Sequence, residues 1–416
     1  MANVILKNVR PFLNGKFAEP TTMNLVEGVW TENYVDSRAK VIDGNGALVL
    51  PALFGLGLDF KEPLRDDIYT FDEGLEAMRR GGFYGGLYES SANPIDDASK
   101  LSAIKQLCSK SSLNLAFLGA FSNGFECEEL AEMVELSEGG VVGFGDGNKN
   151  CSRNRFLRLA MEYGAMTGKR FFFLPLDSSL RHHGLVHEGA AADTLGMKGI
   201  PRIAETTAAF TILEMARFLK VPVHFKQISC GETLKLIERA REDGVDVTCD
   251  VDLYHLLIDD SCLFDLDSHC NVVMPFRAAA DREALWKGLE GGVVNAISVN
   301  HEPVLRQDKE VNFEDAVPGA VSLEIALGAI WKPLRDRLGD ARAVELLSSA
   351  PAKLAGVSPA ELKVGASANL VMLNPDAPTK VAPSMFAGQV RNSPLLGKEV
   401  PSKIMGTYLG GLWTEV

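Results

Sequence analysis

Three of the chain's seven histidines, His182, His183 and His187, stand close together, a pattern that can begin a hydrolytic metal site. A divalent ion held by imidazoles and carboxylates acidifies water and polarises an amide carbonyl. The remaining donors of such a site would come from Asp59, Asp146 or Asp177. The alternative is a solvated loop, and we expect it, because His182 and His183 are adjacent and neighbouring side chains usually point apart. His224 reads as a satisfied core or mouth histidine rather than a ligand. Cys230 precedes a helix start, which can lower a thiol pKa. No general base adjoins it, so a buried, neutral thiol is expected. The glycines of Gly139-Gly140 and Phe144-Gly145-Asp146-Gly147 lack the Lys-Ser/Thr of a phosphate loop and read as turns. The glutamates between 126 and 135 read as the wet face of a helix, and Phe171, Phe172 and Phe173 as strand core.

Side chains like these act only where a scaffold gathers them. Apolar runs near 48–54, 85–89, 113–118, 141–144, 170–174, 221–226, 246–250 and 294–299 alternate with helical patterns such as 96–108, 153–166, 203–219 and 231–243. In 203–219 the spacing of Phe210, Leu213, Met215, Ala216 and Leu219 predicts one apolar face. Eight strands separated by helices predict an α/β fold, a TIM-like (β/α)8 barrel, over 49–364. Helices at 322–338 and 341–350 would link it back to a small β-domain. That domain is expected to combine 1–48 and 365–416, from short strands at 4–9, 23–41, 368–373, 404–409 and 412–415. The stretch 375–400 reads as an extended loop.

Composition narrows the function classes. The 416 residues carry a formal charge of −13 and are 46% apolar, a globular balance without a long basic block. That argues against nucleic acid or an anionic membrane as partner. The seven scattered cysteines form no CxxC pair. No secretory leader or spanning segment is legible, so a cytoplasmic location is expected.

Several motifs, in their order and spacing, resemble the class I dihydroorotases of the amidohydrolase superfamily. Leu50-Pro51-Ala52-Leu53-Phe54 precedes Lys61-Glu62-Pro63, which resembles that family's Arg-Glu-Pro. Gly81-Gly82-Phe83 resembles the start of its second barrel strand, and Leu195–Pro201 with Ala204-Glu205 the segment after its fifth. Val247–Val251 with His255-Leu256-Leu257 resembles its seventh strand and loop, and Pro275-Phe276-Arg277 its Pro-Leu-Arg. Pro351-Ala352-Lys353 and the run 365–370 resemble its C-terminal landmarks.

The resemblance makes the departures informative. It implies a His-x-His pair where this chain has Gly57 and Asp59, and a histidine after strand five where it has Leu174. The histidine implied after strand six is Gln227, and the catalytic aspartate implied after strand eight is Asn300. Only Asp146 offers a match to the carboxylate after strand four, in a motif one residue short. Lys61 replaces a substrate-binding arginine, an exchange that loses bidentate pairing, and Ser91 replaces an asparagine. His255, His301 and Arg277 keep family-like positions beside lost ones. Losing so many donors together implies loss of the metal centre, leaving Lys61, Ser91, His255 and Arg277 as vestiges of substrate binding.

The resemblance therefore implies a pseudoenzyme without metal or other cofactor. In some bacteria an inactive dihydroorotase-like chain associates with aspartate transcarbamoylase, so that enzyme's catalytic chain is the expected partner, within a homo-oligomeric assembly. Two alternatives stand beside it. One is a cyclic amide hydrolase with a rearranged site using the His182–His187 region. The other is a small-anion module built on Lys61, His255 and Arg277.

Overall fold

Parallel strands covered on both faces read as unbroken apolar runs, and eight of them form the centre of the molecule. In a computed structural model describing residues 3–32, 38–149 and 151–416, they span Leu53–Leu58, Phe83–Tyr88, Asn114–Gly119, Gly143–Phe144, Arg170–Phe173, Val223–Phe225, Val247–Asp252 and Ala296–Ser298. They pair in parallel in chain order. Backbone bonds join strand eight to strand one: Val299 N and Asn300 N reach Leu56 O at 3.1 and 3.2 Å. Beyond them His301 N reaches Gly57 O at 2.8 Å, and Asp59 N reaches His301 O at 3.1 Å. With helices between the strands, this is the barrel expected from the alternating pattern.

The expected strand at 48–54 is divided. Leu48–Pro51 pairs with Leu370–Asn374 and Val4–Leu13 in a nine-stranded terminal sheet, while Leu53–Leu58 enters the barrel. Every residue from Leu48 to Leu56 is buried, so apolar patterning alone could not mark the break. Lys403–Leu409, Leu412–Glu415, Thr21–Val26 and Val29–Thr31 extend this sheet around a core that includes Leu6, Met23, Trp30, Val49 and Tyr408. Part of the expected 23–41 strand region, 33–37, lies outside the described residues.

Other elements depart from the expected pattern for local reasons. The two expected linking helices are present within Ala326–Val344, separated at the non-helical Gly339 (φ 77, ψ 167), but the second runs on through a π-helical turn, Glu345–Ser349, into Ala350–Leu354. The acidic stretch is not one helix: Phe125 and Cys127 adopt positive φ, and only Met133–Glu138 is helical. Helix Ile203–Leu219 packs through Ala204, Ala208, Ala209, Ile212, Leu213 and Ala216, small residues that permit close approach. Phe210 therefore faces outward, 53% exposed. Within 375–400, Thr379–Lys380 pairs with Glu399–Val400. Among the described residues no helix is long and apolar enough to cross a membrane.

Candidate functional site

Chemistry on this architecture belongs at the carboxyl ends of the barrel strands. There strand one delivers Gly57 and Asp59, and the segment after strand eight delivers Asn300, His301 and Glu302. Between them lies a cavity of about 10 Å³, also walled by Glu89, Asn148 and Gln227. That is the room of about one water. A second void of about 20 Å³ adjoins it between Gln227, Asn300, His255 and Phe276.

The mouth is filled by its own ion pairs. Lys61 Nζ lies 2.5 Å from Asp59 Oδ2, 3.1 Å from Ser91 Oγ and 3.7 Å from Glu302 Oε1. Ser91 Oγ also donates to Asp59. Burial opposes the charge on Lys61, but Asp59 and Glu302 outweigh it and hold the ammonium above the usual lysine range. Burial pushes Glu302 upward, against the pull of Lys61. A second ammonium, Lys226 Nζ, pairs with Glu89 and donates to Gly147 O at 2.7 Å. Asn148 Nδ2 donates to Glu302 Oε2 at 3.0 Å, and Gln227 Nε2 to Asn148 Oδ1 at 3.3 Å.

The replaced ligand positions are rebuilt rather than empty. A Cβ at Gly57 (φ +77) would lie 2.2 Å from Asn300 Oδ1, so the amide occupies the space a side chain there would need. Asn300 Nδ2 donates to Asp252 Oδ2 at 2.7 Å and Ser298 Oγ at 3.0 Å. Leu174 is buried in a small apolar cluster with Leu176, Ile200 and Met274. Asp146 does not line the cavity: its carboxylate accepts from Phe121 N at 3.0 Å, Ser122 N at 3.2 Å and Ser122 Oγ. Burial pushes Asp146 up to about 7 despite those donors. His301 Nδ1 accepts from Ser322 N and Leu323 N at 3.2 and 3.3 Å. Burial and then Lys61 hold its ring down to about 3, so it is neutral.

The remaining expected residues disperse. Arg277 is buried away from Lys61: it donates to Ser229 Oγ at 3.0 Å and Ile200 O at 2.9 Å, and stands 3.6 Å from Glu205. His187 Nδ1 accepts from Arg277 Nη1 at 3.2 Å. Burial, then Arg277 and Arg202, hold His187 down to about 4. His255 Nε2 lies 3.0 Å from Met274 O, with its ring 5.1 Å from Phe276. Lys61, His255 and Arg277 thus do not form one anion site. His182 and His183 are exposed as expected, but their rings lie 4.1 Å apart rather than pointing away from each other. His224 is satisfied between Thr248 and Asp250 at 2.8 and 2.9 Å. Burial raises the Cys230 thiol.

Among the described residues, no three His, Cys, Asp or Glu side chains are grouped to hold a metal ion. The donors at the mouth are carboxylates already engaged by ammonium groups, with glycine, leucine and amides at the other positions. That set does not fit a divalent centre. Sequence reasoning missed Lys226, Glu89, Asn148 and the role of Glu302. A signal was available: Glu89 and Lys226 each follow directly on a barrel strand, where an ionisable side chain faces the mouth.

Comparison with known proteins gives these positions a context. No family model matches the chain. It is 32% identical over 379 residues to the dihydroorotase of Pelotomaculum thermopropionicum, covering 90% of this chain and 88% of that one. It is 34% identical over 382 residues to a dihydroorotase-like protein of Pseudomonas putida, covering 90% and 89%. A dihydroorotase-like protein of Pseudomonas aeruginosa is 32% identical over 382 residues, covering 91% and 90%. Among solved structures, the L-hydantoinase of Arthrobacter aurescens superposes with TM-score 0.83 at 21% identity, over 100% of this chain and 96% of that one. The last match establishes an amidohydrolase-type fold. With relatives of such identity aligned along nine-tenths of its length, the chain belongs to the dihydroorotase family.

Proposed function

We propose that this protein is a catalytically inactive dihydroorotase homologue, a cytoplasmic structural or assembly subunit for aspartate transcarbamoylase in pyrimidine biosynthesis. The observation that carries the loss of catalysis is the pairing of Lys61 with Asp59 and Glu302, two residues that wall a cavity of only about 10 Å³. Water activation there would need free donors and room for a cyclic amide, and the side chains supply neither. The partner comes from the resemblance to inactive dihydroorotase-like chains that accompany that enzyme. Similarity to the two Pseudomonas dihydroorotase-like proteins is in keeping with it. The outside of a barrel can hold an oligomeric interface without chemistry at its mouth. Leu159, Phe210 and Phe218 expose apolar surface on its outer helices.

The test is co-expression with the catalytic chain of aspartate transcarbamoylase, followed by mass measurement and a dihydroorotase assay on the chain alone with added zinc. A joint complex and no turnover are expected. Separate species at micromolar concentration would remove the assembly role, and turnover would remove the loss of catalysis. A second reading, cyclic amide hydrolysis by a rearranged site, draws on the similarity to a protein named dihydroorotase and on the buried carboxylate Asp59 with the partly buried Glu302 beside it. The same turnover assay decides between the two.

A further inference from the structure

We infer that the cleft beside the filled mouth, between the loops after strands three, four and five, binds a small phosphate ester, with Arg181 and Lys149 holding the phosphate. The inference is independent of the proposed function, because the charged groups it uses lie outside the mouth.

The cleft has a volume of about 400 Å³ against about 10 Å³ for the mouth cavity, and Asn148 lines both. Room of that size takes a small organic molecule. In a chain of net charge −13, three cations line this space, Lys149, Arg153 and Arg181, against one carboxylate, Glu126. Arg153 is engaged by Glu128 at 2.8 Å. The other two are free: among the described residues neither side chain donates a hydrogen bond or joins an ion pair, and Lys149 Nζ lies over the Phe125 ring at 5.7 Å. Arg181 is half-buried, and burial alone pushes its guanidinium below the usual arginine range, with no carboxylate to counter it. Asp177, on the same loop, is turned to its own helix, accepting from Ser179 N and Leu180 N at 2.9 and 3.0 Å. A guanidinium presents its donors in a fixed fork that matches a phosphate, and one drawn out of water without an acceptor favours the anion that supplies it. Two free cations also match the double charge of a phosphate monoester near neutrality. Ser152 Oγ and Ser178 Oγ, 2.7 Å apart in the same lining, add hydroxyl donors. Phe125 and Leu176, both buried, give the cleft an apolar floor for an organic body, which a bare inorganic ion would leave uncovered.

The test is calorimetric titration of the full-length protein with phenyl phosphate, and with benzoate as the singly charged comparison. Phenyl phosphate should bind at a single site per chain, about tenfold or more tighter than benzoate. R181M should weaken it by about tenfold or more, and R181K should recover only part of the loss, because an ammonium lacks the fork. R181M has no partner to lose, so it should unfold at the wild-type temperature or above. K149M, at an exposed side chain, should also weaken binding, and it decides the matter alone should R181M fail to fold. K332M, which removes an exposed charge from helix Ala326–Val344 outside the cleft, should bind as the wild type does. No binding of millimolar phenyl phosphate, equal binding of benzoate, a folded R181M or a K149M as tight as wild type, or an equal loss in K332M overturns the site.

Discussion

Returning a side chain to position 57 should cost more than it restores. Alanine at Gly57 would adopt φ +77, a left-handed conformation that costs a non-glycine residue about 1–2 kcal/mol. Its Cβ would also stand 2.2 Å from Asn300 Oδ1 and 3.1 Å from Asn300 Cα, an overlap that costs about 1–3 kcal/mol once neighbours give way. Gly57→Ala should therefore lose about 2–5 kcal/mol, the sum of those two ranges. The parts separate in a double-mutant cycle. Asn300→Ala removes the amide oxygen but not the backbone strain, so on that background the added cost should fall to about 1–2 kcal/mol. Urea unfolding of the four proteins, compared at constant m-value, measures the coupling. A coupling below about 0.5 kcal/mol, within ordinary additivity, would refute the claim that Asn300 fills the place of a side chain at 57.

Two further expectations concern buried charge. Arg277→Met removes the guanidinium 3.6 Å from Glu205, leaving that fully buried carboxylate with its hydrogen bonds from Ser229 and Cys230 but without the facing charge, and should destabilise by about 3–5 kcal/mol. A urea midpoint shift worth under about 1 kcal/mol would contradict the anchoring role given to Arg277. Burial pushes Glu324 up to about 7, while its Oε1 accepts from Ala387 N at 2.8 Å and its Oε2 has no partner. A carboxyl whose folded pKa lies above its unfolded value stabilises the fold while protonated, and that contribution is lost as pH rises from 4.5 through about 7. Glu324→Gln keeps the acceptor without the charge. It should unfold at a higher temperature than wild type above neutrality, with the gap closing near pH 4.5; an equal gap at both ends would contradict the sign.

The barrel was legible because eight apolar runs alternate with helical ones, a pattern that survives loss of chemistry. The division between Leu48–Pro51 and Leu53–Leu58 was not, since both segments are buried and no polar residue separates them. At the site, losses were readable residue by residue: glycine and leucine carry no donor wherever they point. The gains were not. Lys226 meets Glu89 across 137 positions, a pairing that no local pattern announces. Arg277 looked like a remnant of substrate binding because only the fold shows it turned toward Ser229, Ile200 and His187. The ring contact of His182 with His183 escaped for a smaller reason: the unusual backbone at His182 (φ 47) overrides the usual divergence of neighbours.

The mixed sheet sets a timetable for synthesis. Leu48–Pro51 lies between Val4–Leu13 and Leu370–Asn374. The ribosome therefore releases one neighbour early and the other some three hundred residues later. At about 5–20 residues per second this wait lasts roughly 15–60 s. Throughout it, the nascent polypeptide carries an unfinished apolar edge, an obvious hold for a chaperone and a risk of aggregation when expression outruns folding.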